Sequence, residues 1–302
     1  MLPNVPALLI ERLSAQYGAA LTEEIVAGFV RRPVTLRVNP LKSTREAVCA
    51  VLEKAGIAYE PVPWYQDAFI LREVREEAVQ ALPEYEAGCM YLQSLSSMMP
   101  PLVVAPEKNE SILDMAAAPG GKTTQMAALS GNTALITACE KNKIRAERLQ
   151  FNLERQGTKR VNVMCQDARQ LSDLFKFDKV LLDAPCTGSG TILIEEGEPE
   201  RRMTPDWVAK TANTQKAMLK KALTLLSAGH EMVYSTCSIL REENEDVLRA
   251  VLPGMNAEIV PIEHAFLDHV PLLPVAIPGV VCVRPTELYE GFFVAKIRRR
   301  KK

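Results

Sequence analysis

Two cysteines stand where thiols can do covalent chemistry: Cys186 in Asp183-Ala184-Pro185-Cys186-Thr187-Gly188-Ser189-Gly190, and Cys237 in Ser235-Thr236-Cys237-Ser238. Each follows an apolar run of strand character, Lys179-Val180-Leu181-Leu182 and Glu231-Met232-Val233-Tyr234, and a long amphipathic helical pattern separates them. In a parallel α/β sheet this order carries both thiols to the same strand edge, the edge where ligands bind. Two thiols there suit covalent work on an electrophilic ring, because adding a thiolate divides one hard step into easier ones. The other five of the seven cysteines, Cys49, Cys89, Cys139, Cys165 and Cys282, lie in apolar or helical contexts and read as small hydrophobes.

A second group of residues could hold a ligand beside the thiols. Asp114-Met115-Ala116-Ala117-Ala118-Pro119-Gly120-Gly121-Lys122-Thr123 joins a strand pattern to a helix pattern. Its small residues admit close backbone approach, and a helix N-terminus with Lys122 suits an anionic group. A phosphate-cradling ATPase loop ending at Gly121-Lys122-Thr123 would need glycine where Ala116 stands, so that alternative is disfavoured but open. Glu140 closes the next strand, where an acid can accept from ribose hydroxyls, and Asp167 closes the third, within reach of an adenine amine. A single acid at a strand end serves equally as a helix cap. The ordered set fits an adenosine cofactor without a phosphate chain.

The elements that position these residues follow from periodicity. Residues 6–29 read as helical, Val34-Thr35-Leu36-Arg37-Val38 as a strand, and residues 43–55 as a helix with Ser43 at its N-cap and Glu46 completing a capping box. Tyr59 to Ile70 reads as loop or edge strand. From Ser111 the pattern alternates strand, turn and helix, which predicts a parallel sheet. Its strands are centred on Leu113, Ile136, Val163, Leu181 and Val233, and Pro205 opens a helix that runs to Leu226. A strand-rich end contains Val280 to Val283 and Phe292 to Ile297. The division expected is a helical and α/β module over residues 1–100, then a ligand-binding domain over residues 101–302.

Composition narrows the class. The chain has 302 residues, 47% apolar and 24% charged, as in ordinary globular proteins. Met1-Leu2-Pro3-Asn4 opens no basic-then-apolar leader, and no apolar run approaches the ~20 residues of a membrane span. An odd cysteine count without Cys-x-x-Cys spacing argues against a disulfide scaffold or zinc knuckle and favours a reducing cytoplasm. His230, His264 and His269 lack metal-ligand spacing, so no metal is expected. The net charge of −1 hides three basic clusters: Arg31 to Arg45, residues 141–160, and Lys296 to Lys302. They could form one phosphate-binding face or three separate solvated surfaces.

Taken in order, Asp-x-x-Ala-Ala-Pro-Gly-Gly-Lys-Thr, Asp-Ala-Pro-Cys-Thr-Gly-Ser-Gly and Ser-Thr-Cys-Ser resemble the Nol/Nop/Sun family of RNA cytosine-C5 methyltransferases. Leu36-Arg37-Val38-Asn39-Pro40 and Glu290-Gly291-Phe292-Phe293-Val294-Ala295 match as well, so the resemblance spans nearly the whole chain. It implies a Rossmann-like class I methyltransferase with a mostly parallel, doubly wound sheet and a small N-terminal RNA-recognition-like module. It implies S-adenosylmethionine as cofactor, bound by Ala117, Ala118, Pro119, Gly120, Gly121 and Lys122 with Glu140, Arg145, Asp167 and Asp183. By the same resemblance Cys237 attacks C6 of the base, Cys186 assists release, Asp183 binds the base edge, and Lys122 orients cofactor and base. The RNA expected is ribosomal, of the 16S type, ahead of transfer RNA, with the enzyme acting as a cytoplasmic monomer. A noncatalytic RNA-binding assembly factor with a vestigial site is the alternative.

Overall fold

Apolar residues at helical spacing form α1 (Ala7–Tyr17) and α2 (Ala19–Ala27), two helices broken at Gly18 where one continuous helical stretch was expected. The computed structural model describes residues 5–194 and 203–301, so Met1–Asn4 and Lys302 lie outside the described residues. Leu9, Leu13, Ile25, Val26 and Phe29 enter the core that lines one face of the larger sheet.

The next elements are β1 (Val34–Val38), α3 (Arg45–Lys54), β2 (Tyr59–Pro61), β3 (Ala68–Leu71), α4 (Glu76–Gln80), α5 (Pro83–Glu86) and β4 (Met90–Leu92). Their sheet runs β2-β3-β1-β4, antiparallel throughout, with Leu36 opposite Phe69 on one side and Leu92 on the other. This strand-helix-strand-strand-helix-strand layout is ferredoxin-like, as expected of an RNA-recognition-like module. Its own core is built from Leu36, Val38, Val48, Leu52, Phe69 and Leu71. Thr44, not Ser43, caps α3: its side chain accepts from Ala47 N at 3.2 Å. The register therefore places Ala47, not Glu46, at the third helical position, and no capping box closes.

The larger unit begins with α6 (Leu95–Val104), which the sequence pattern did not reveal because Pro100 and Pro101 lie inside it. Proline removes a helical N–H; here the Ser97 carbonyl, left without its i+4 donor, accepts from Gln93 Nε2 at 3.0 Å. Then follow β5 (Ser111–Asp114), α7 (Gly121–Leu129), β6 (Leu135–Cys139), α8 (Lys143–Arg155), β7 (Val161–Met164), β8 (Phe177–Asp183), α9 (Pro205–Leu225), β9 (Leu226–Thr236), α10 (Glu245–Val251), β10 (Ala257–Val260), β11 (Val281–Val283) and β12 (Phe292–Arg299). Among the described residues the sheet is eight-stranded, β10-β12-β9-β8-β5-β6-β7 with β11 beside β12. Strands β5 to β9 run parallel, and β12 is antiparallel to β9. The chain builds outward from β5 to β7, then returns to place β8 on the other side of β5. That reversal opens a crevice at the carboxyl ends of β5 and β8, the position where such sheets bind ligands. Among the described residues no helix is long and apolar enough to cross a membrane.

The two units are tied by Arg37 of β1, fully buried despite its place in the first basic cluster. Its Nε donates to Gln93 Oε1 at 2.9 Å, and its Nη2 donates to Gly121 O at 3.1 Å and Thr124 Oγ1 at 2.6 Å. The guanidinium also lies over the Tyr91 ring. Arg37→Leu should cost about 3 kcal/mol, because charged hydrogen bonds are lost while buried acceptors keep their desolvation penalty. A urea unfolding series measures this; an unchanged midpoint would refute the bridging role.

Among the described residues, the terminal basic cluster does not join a phosphate face with the thiols. Lys296 and Arg298 pair with Glu231, Arg300 pairs with Glu258, and Arg299 donates to the carbonyls of Thr224 and Leu226. Arg298 is in register with Glu231 and Phe293 with Thr236, so these cations sit at the opposite end of the sheet from Cys237.

Candidate active site

The turn after β5 is shaped from within. Asp114, 1% exposed, accepts from Thr123 Oγ1 at 2.8 Å, tying the strand end to the first turn of α7. Gly120 caps α7 at φ 111°, a left-handed conformation that favours glycine, and a Cβ there would meet Leu149 Cδ1 at 3.0 Å. Helix α8 holds the turn from outside. Arg145 donates to Ala118 O at 2.9 Å, and Asn152 donates to Pro119 O at 2.8 Å.

Burial pushes Asp114 up to about 6, despite the Thr123 hydroxyl that favours its charge. The native state thus binds this proton more tightly than the unfolded chain does. Its stabilising contribution is full below the unfolded value of 3.8 and is lost as pH rises through about 6. Asp114→Asn does not titrate, so relative to the parent it should gain up to about 3 kcal/mol of stability between pH 4 and pH 7. Parallel thermal melts of both proteins across that range test the sign; a difference independent of pH would refute it.

Three acids follow the ends of successive strands. Glu140, 4% exposed, accepts from Asn142 N at 2.9 Å and lies 3.5 Å from Arg145 Nη1. Asp167 caps a short 3-10 turn and is gripped by Arg169 at 2.5 Å, so the capping role open to any such acid is realised here. Asp183 ends β8. Glu140 and Asp167 line one cleft with Met115, Gln166 and Met218. The donor set of this cleft fits an adenosine-bearing methyl donor. Its carboxylates could accept from hydroxyls and an exocyclic amine, and its two arginines are turned onto Glu140 and Asp167 instead of being set for a phosphate chain.

The thiols meet as the parallel pairing requires. Asp183 of β8 is in register with Ser235 of β9, and three residues beyond Asp183 and two beyond Ser235 the Sγ atoms of Cys186 and Cys237 lie 3.1 Å apart. This is well beyond a disulfide bond; both are free cysteines. Beside them Lys122 Nζ pairs with Asp183 Oδ2 at 2.7 Å and donates to Ser97 Oγ at 2.8 Å. Ser235 Oγ donates to Asp183 Oδ1 at 2.7 Å.

Electrostatics separates the two sulfurs. The hydrogen bond with Cys237, burial, and the nearby Glu243 charge push the Cys186 thiol well above its ordinary value. It therefore keeps its proton. Burial alone would lower Lys122, but Asp183 and also Cys237 and Asp114 raise it, so its ammonium persists.

All four proposed chemistry-bearing residues, Cys186, Cys237, Asp183 and Lys122, gather at the crevice, with Glu140, Arg145 and Asp167 in the adjoining cleft. Sequence reasoning missed Ser97, Gln215, Glu243 and Asn244. Ser97 was hidden with α6, and the other three show no spacing relative to the cysteines that marks contact. It also missed the approach of two motif glycines. A Cβ on Gly190 would lie 2.1 Å from Gly291 O, and Gly291 N donates to Gly190 O at 2.8 Å. A cavity of about 500 Å³ at the junction of the two units reaches Ser97 and is lined by Arg32, Tyr91, Gln93, Ser94 and Glu290. Among the described residues no group of acids, cysteines and histidines could hold a metal ion.

Residues 101–298 match the family described as 16S rRNA methyltransferase RsmB/F, and residues 5–76 match the ferredoxin-like domain of RsmF/B-like methyltransferases. The chain is 36% identical over 281 residues to the ribosomal RNA small subunit methyltransferase F of Shewanella amazonensis, covering 88% of this chain and 58% of that protein. It is 38% identical over 247 residues to the human 28S rRNA (cytosine(4447)-C(5))-methyltransferase, covering 80% of this chain and 30% of that one. The chain thus spans less than two thirds of the length of these relatives. Among solved structures it is similar to NSun6 from Pyrococcus horikoshii with SFG, at TM-score 0.87 and 26% identity over the full length of both chains. A methyltransferase homolog protein from the same organism gives TM-score 0.79 and 30% identity, covering 98% of this chain and all of that one.

Proposed function

The chain belongs to the RsmB/F family of 16S rRNA methyltransferases, and from that premise we propose that it methylates C5 of a cytidine in ribosomal RNA, with S-adenosylmethionine as methyl donor. The observation that carries the reading is the pair of thiols 3.1 Å apart beside the Lys122–Asp183 pair at one strand edge. Ribosomal RNA stands ahead of transfer RNA because the bacterial and human relatives are both named for it.

C5 of cytosine is a weak nucleophile. Addition of Cys237 Sγ to C6 converts the ring to an enamine with an electron-rich C5, which is covalent catalysis. Bound S-adenosylmethionine supplies the electrophilic methyl group. Glu140 and Asp167 would hold its hydroxyls and amine, with Arg145, Asp183 and the turn Ala117, Ala118, Pro119, Gly120, Gly121 and Lys122 around it. Asp183 accepts from the cytosine amino edge, while the Lys122 ammonium orients Asp183 and offsets the negative charge that sulfur addition places on the ring. In the release step Cys186 gives its proton to the departing Cys237 sulfur, the C5–H electrons re-form the C5–C6 double bond as the Cys237–C6 bond breaks, and the C5 proton passes to the Cys186 sulfur. The base must leave any stack to reach these groups, and the ferredoxin-like unit ahead of α6 guides that RNA. The enzyme works as a cytoplasmic monomer.

The test is methyl transfer from labelled S-adenosylmethionine to small-subunit ribosomal RNA, with the modified nucleoside identified by mass spectrometry. 5-Methylcytidine is expected. Methyl in another nucleoside, or none in either ribosomal or transfer RNA, would overturn the proposal.

A further inference from the structure

Neither thiol is held by its own side-chain contacts alone; the neighbours of each are bolted to one buried dipeptide. Glu243 is 0% exposed, and its carboxylate accepts three bonds. Oε1 takes Thr187 N at 2.8 Å and Gln215 Nε2 at 3.3 Å, and Oε2 takes Thr187 Oγ1 at 2.6 Å. Gln215 Nε2 also donates to Pro185 O at 3.0 Å. The residues on both sides of Cys186 are therefore fastened to Glu243. Asn244, 2% exposed, does the same for Cys237: its Oδ1 accepts from Thr236 Oγ1 at 2.6 Å, and its Nδ2 donates to Ser238 O at 2.8 Å. Cross-links close the frame, with Ser189 Oγ and Ser238 Oγ 2.8 Å apart and Gly190 N donating to Cys237 O at 3.0 Å.

A buried carboxylate is costly unless its lone pairs are filled, so such an arrangement persists where it does work. We propose that Glu243 and Asn244 are positioning residues that set the spacing of Cys186 and Cys237, so that the Cys186 thiol lies against the sulfur that must leave the base. This rests on the two-thiol reading above. Neither residue touches substrate. Glu243 acts through Thr187, and Asn244 acts through Thr236 and Ser238.

The experiment compares Glu243→Ala, Thr187→Val, Glu243→Gln and Cys186→Ala, each incubated with ribosomal RNA and S-adenosylmethionine and run on a denaturing gel with and without ribonuclease. Thr187→Val provides the test if Glu243→Ala fails to fold. Glu243→Gln can keep an oxygen toward Thr187 N while Thr187 Oγ1 turns to accept from the new amide, so it should release RNA at near the parental rate. Glu243→Ala and Thr187→Val should accumulate ribonuclease-sensitive adduct and release it at least about tenfold more slowly, with a smaller fall in single-turnover methyl transfer. Adding Glu243→Ala to Cys186→Ala should change nothing further. If Cys186→Ala traps adduct while folded Glu243→Ala and Thr187→Val do not, the clamp is overturned and the release reading stands. If Cys186→Ala traps none, the release reading fails, and the clamp is decided by alkylation of Cys186 with iodoacetamide, mapped by mass spectrometry. Faster alkylation in Thr187→Val sustains the positioning role; a parental rate overturns it.

Discussion

Cys237→Ala is expected to lower methyl transfer more than about a thousandfold, while the protein still folds and binds S-adenosylmethionine. The size of the effect follows from the chemistry. Without a nucleophile on C6, C5 stays a weak nucleophile, and positioning alone cannot restore the missing activation. The local structure should tolerate the change. Cys237 is only partly buried, and its flanking residues Thr236 and Ser238 are held by Asn244 independently of the thiol. Methyl incorporation over time, with calorimetry for the cofactor, makes the measurement. Turnover within tenfold of the parent would remove Cys237 from the role of nucleophile. Cys186 would not simply replace it, since burial and the Glu243 charge, which the variant leaves in place, still favour its protonated form.

Asp183→Asn is expected to cost about a hundredfold in kcat/KM with little change in RNA affinity. The carboxylate faces two ways, to Lys122 at 2.7 Å and to Ser235 Oγ at 2.7 Å. Asparagine can keep its oxygen toward the ammonium and give its amide to the Ser235 oxygen, so the loop should survive. What disappears is negative charge at the base edge and the attraction that raises Lys122. Filter binding with ribosomal RNA and steady-state kinetics separate the two effects. Parental turnover would refute recognition of the base by Asp183, whereas loss of RNA binding in proportion to activity would indicate a role in docking instead.

Much of the larger unit was legible because its strands are short apolar runs between turn residues, the pattern of a sheet buried on both faces. Pro205 was read correctly as a helix start, with Thr204 accepting from Trp207 N at 3.2 Å. The failures share a cause: local signals that tertiary contacts override. The double proline concealed α6, whose free carbonyl is satisfied by a side chain from outside the helix. The cap of α3 moved by one residue, because Ser43 and Thr44 are both good caps and backbone direction chose between them. Arg37 looked like a surface cation, yet it is the buried bolt between the small sheet and helix α7 of the larger unit.

From its residue order alone, the chain determined that Cys186 and Cys237 follow parallel strands and that the Asp114–Lys122 turn opens a helix. Strand period and crossover handedness leave few other ways to build such a sheet. Tertiary structure decided the rest. The 3.1 Å thiol separation, the Lys122–Asp183 pair, and the hold of Glu243 on Thr187 join residues tens of positions apart. Such distances depend on strand register and core packing, which no local pattern encodes. The same holds for charge. The basic residues near the C-terminus count as cations in a sequence, but folding set Lys296 and Arg298 against Glu231 and brought the ammonium of Lys122 onto Asp183 beside the thiols.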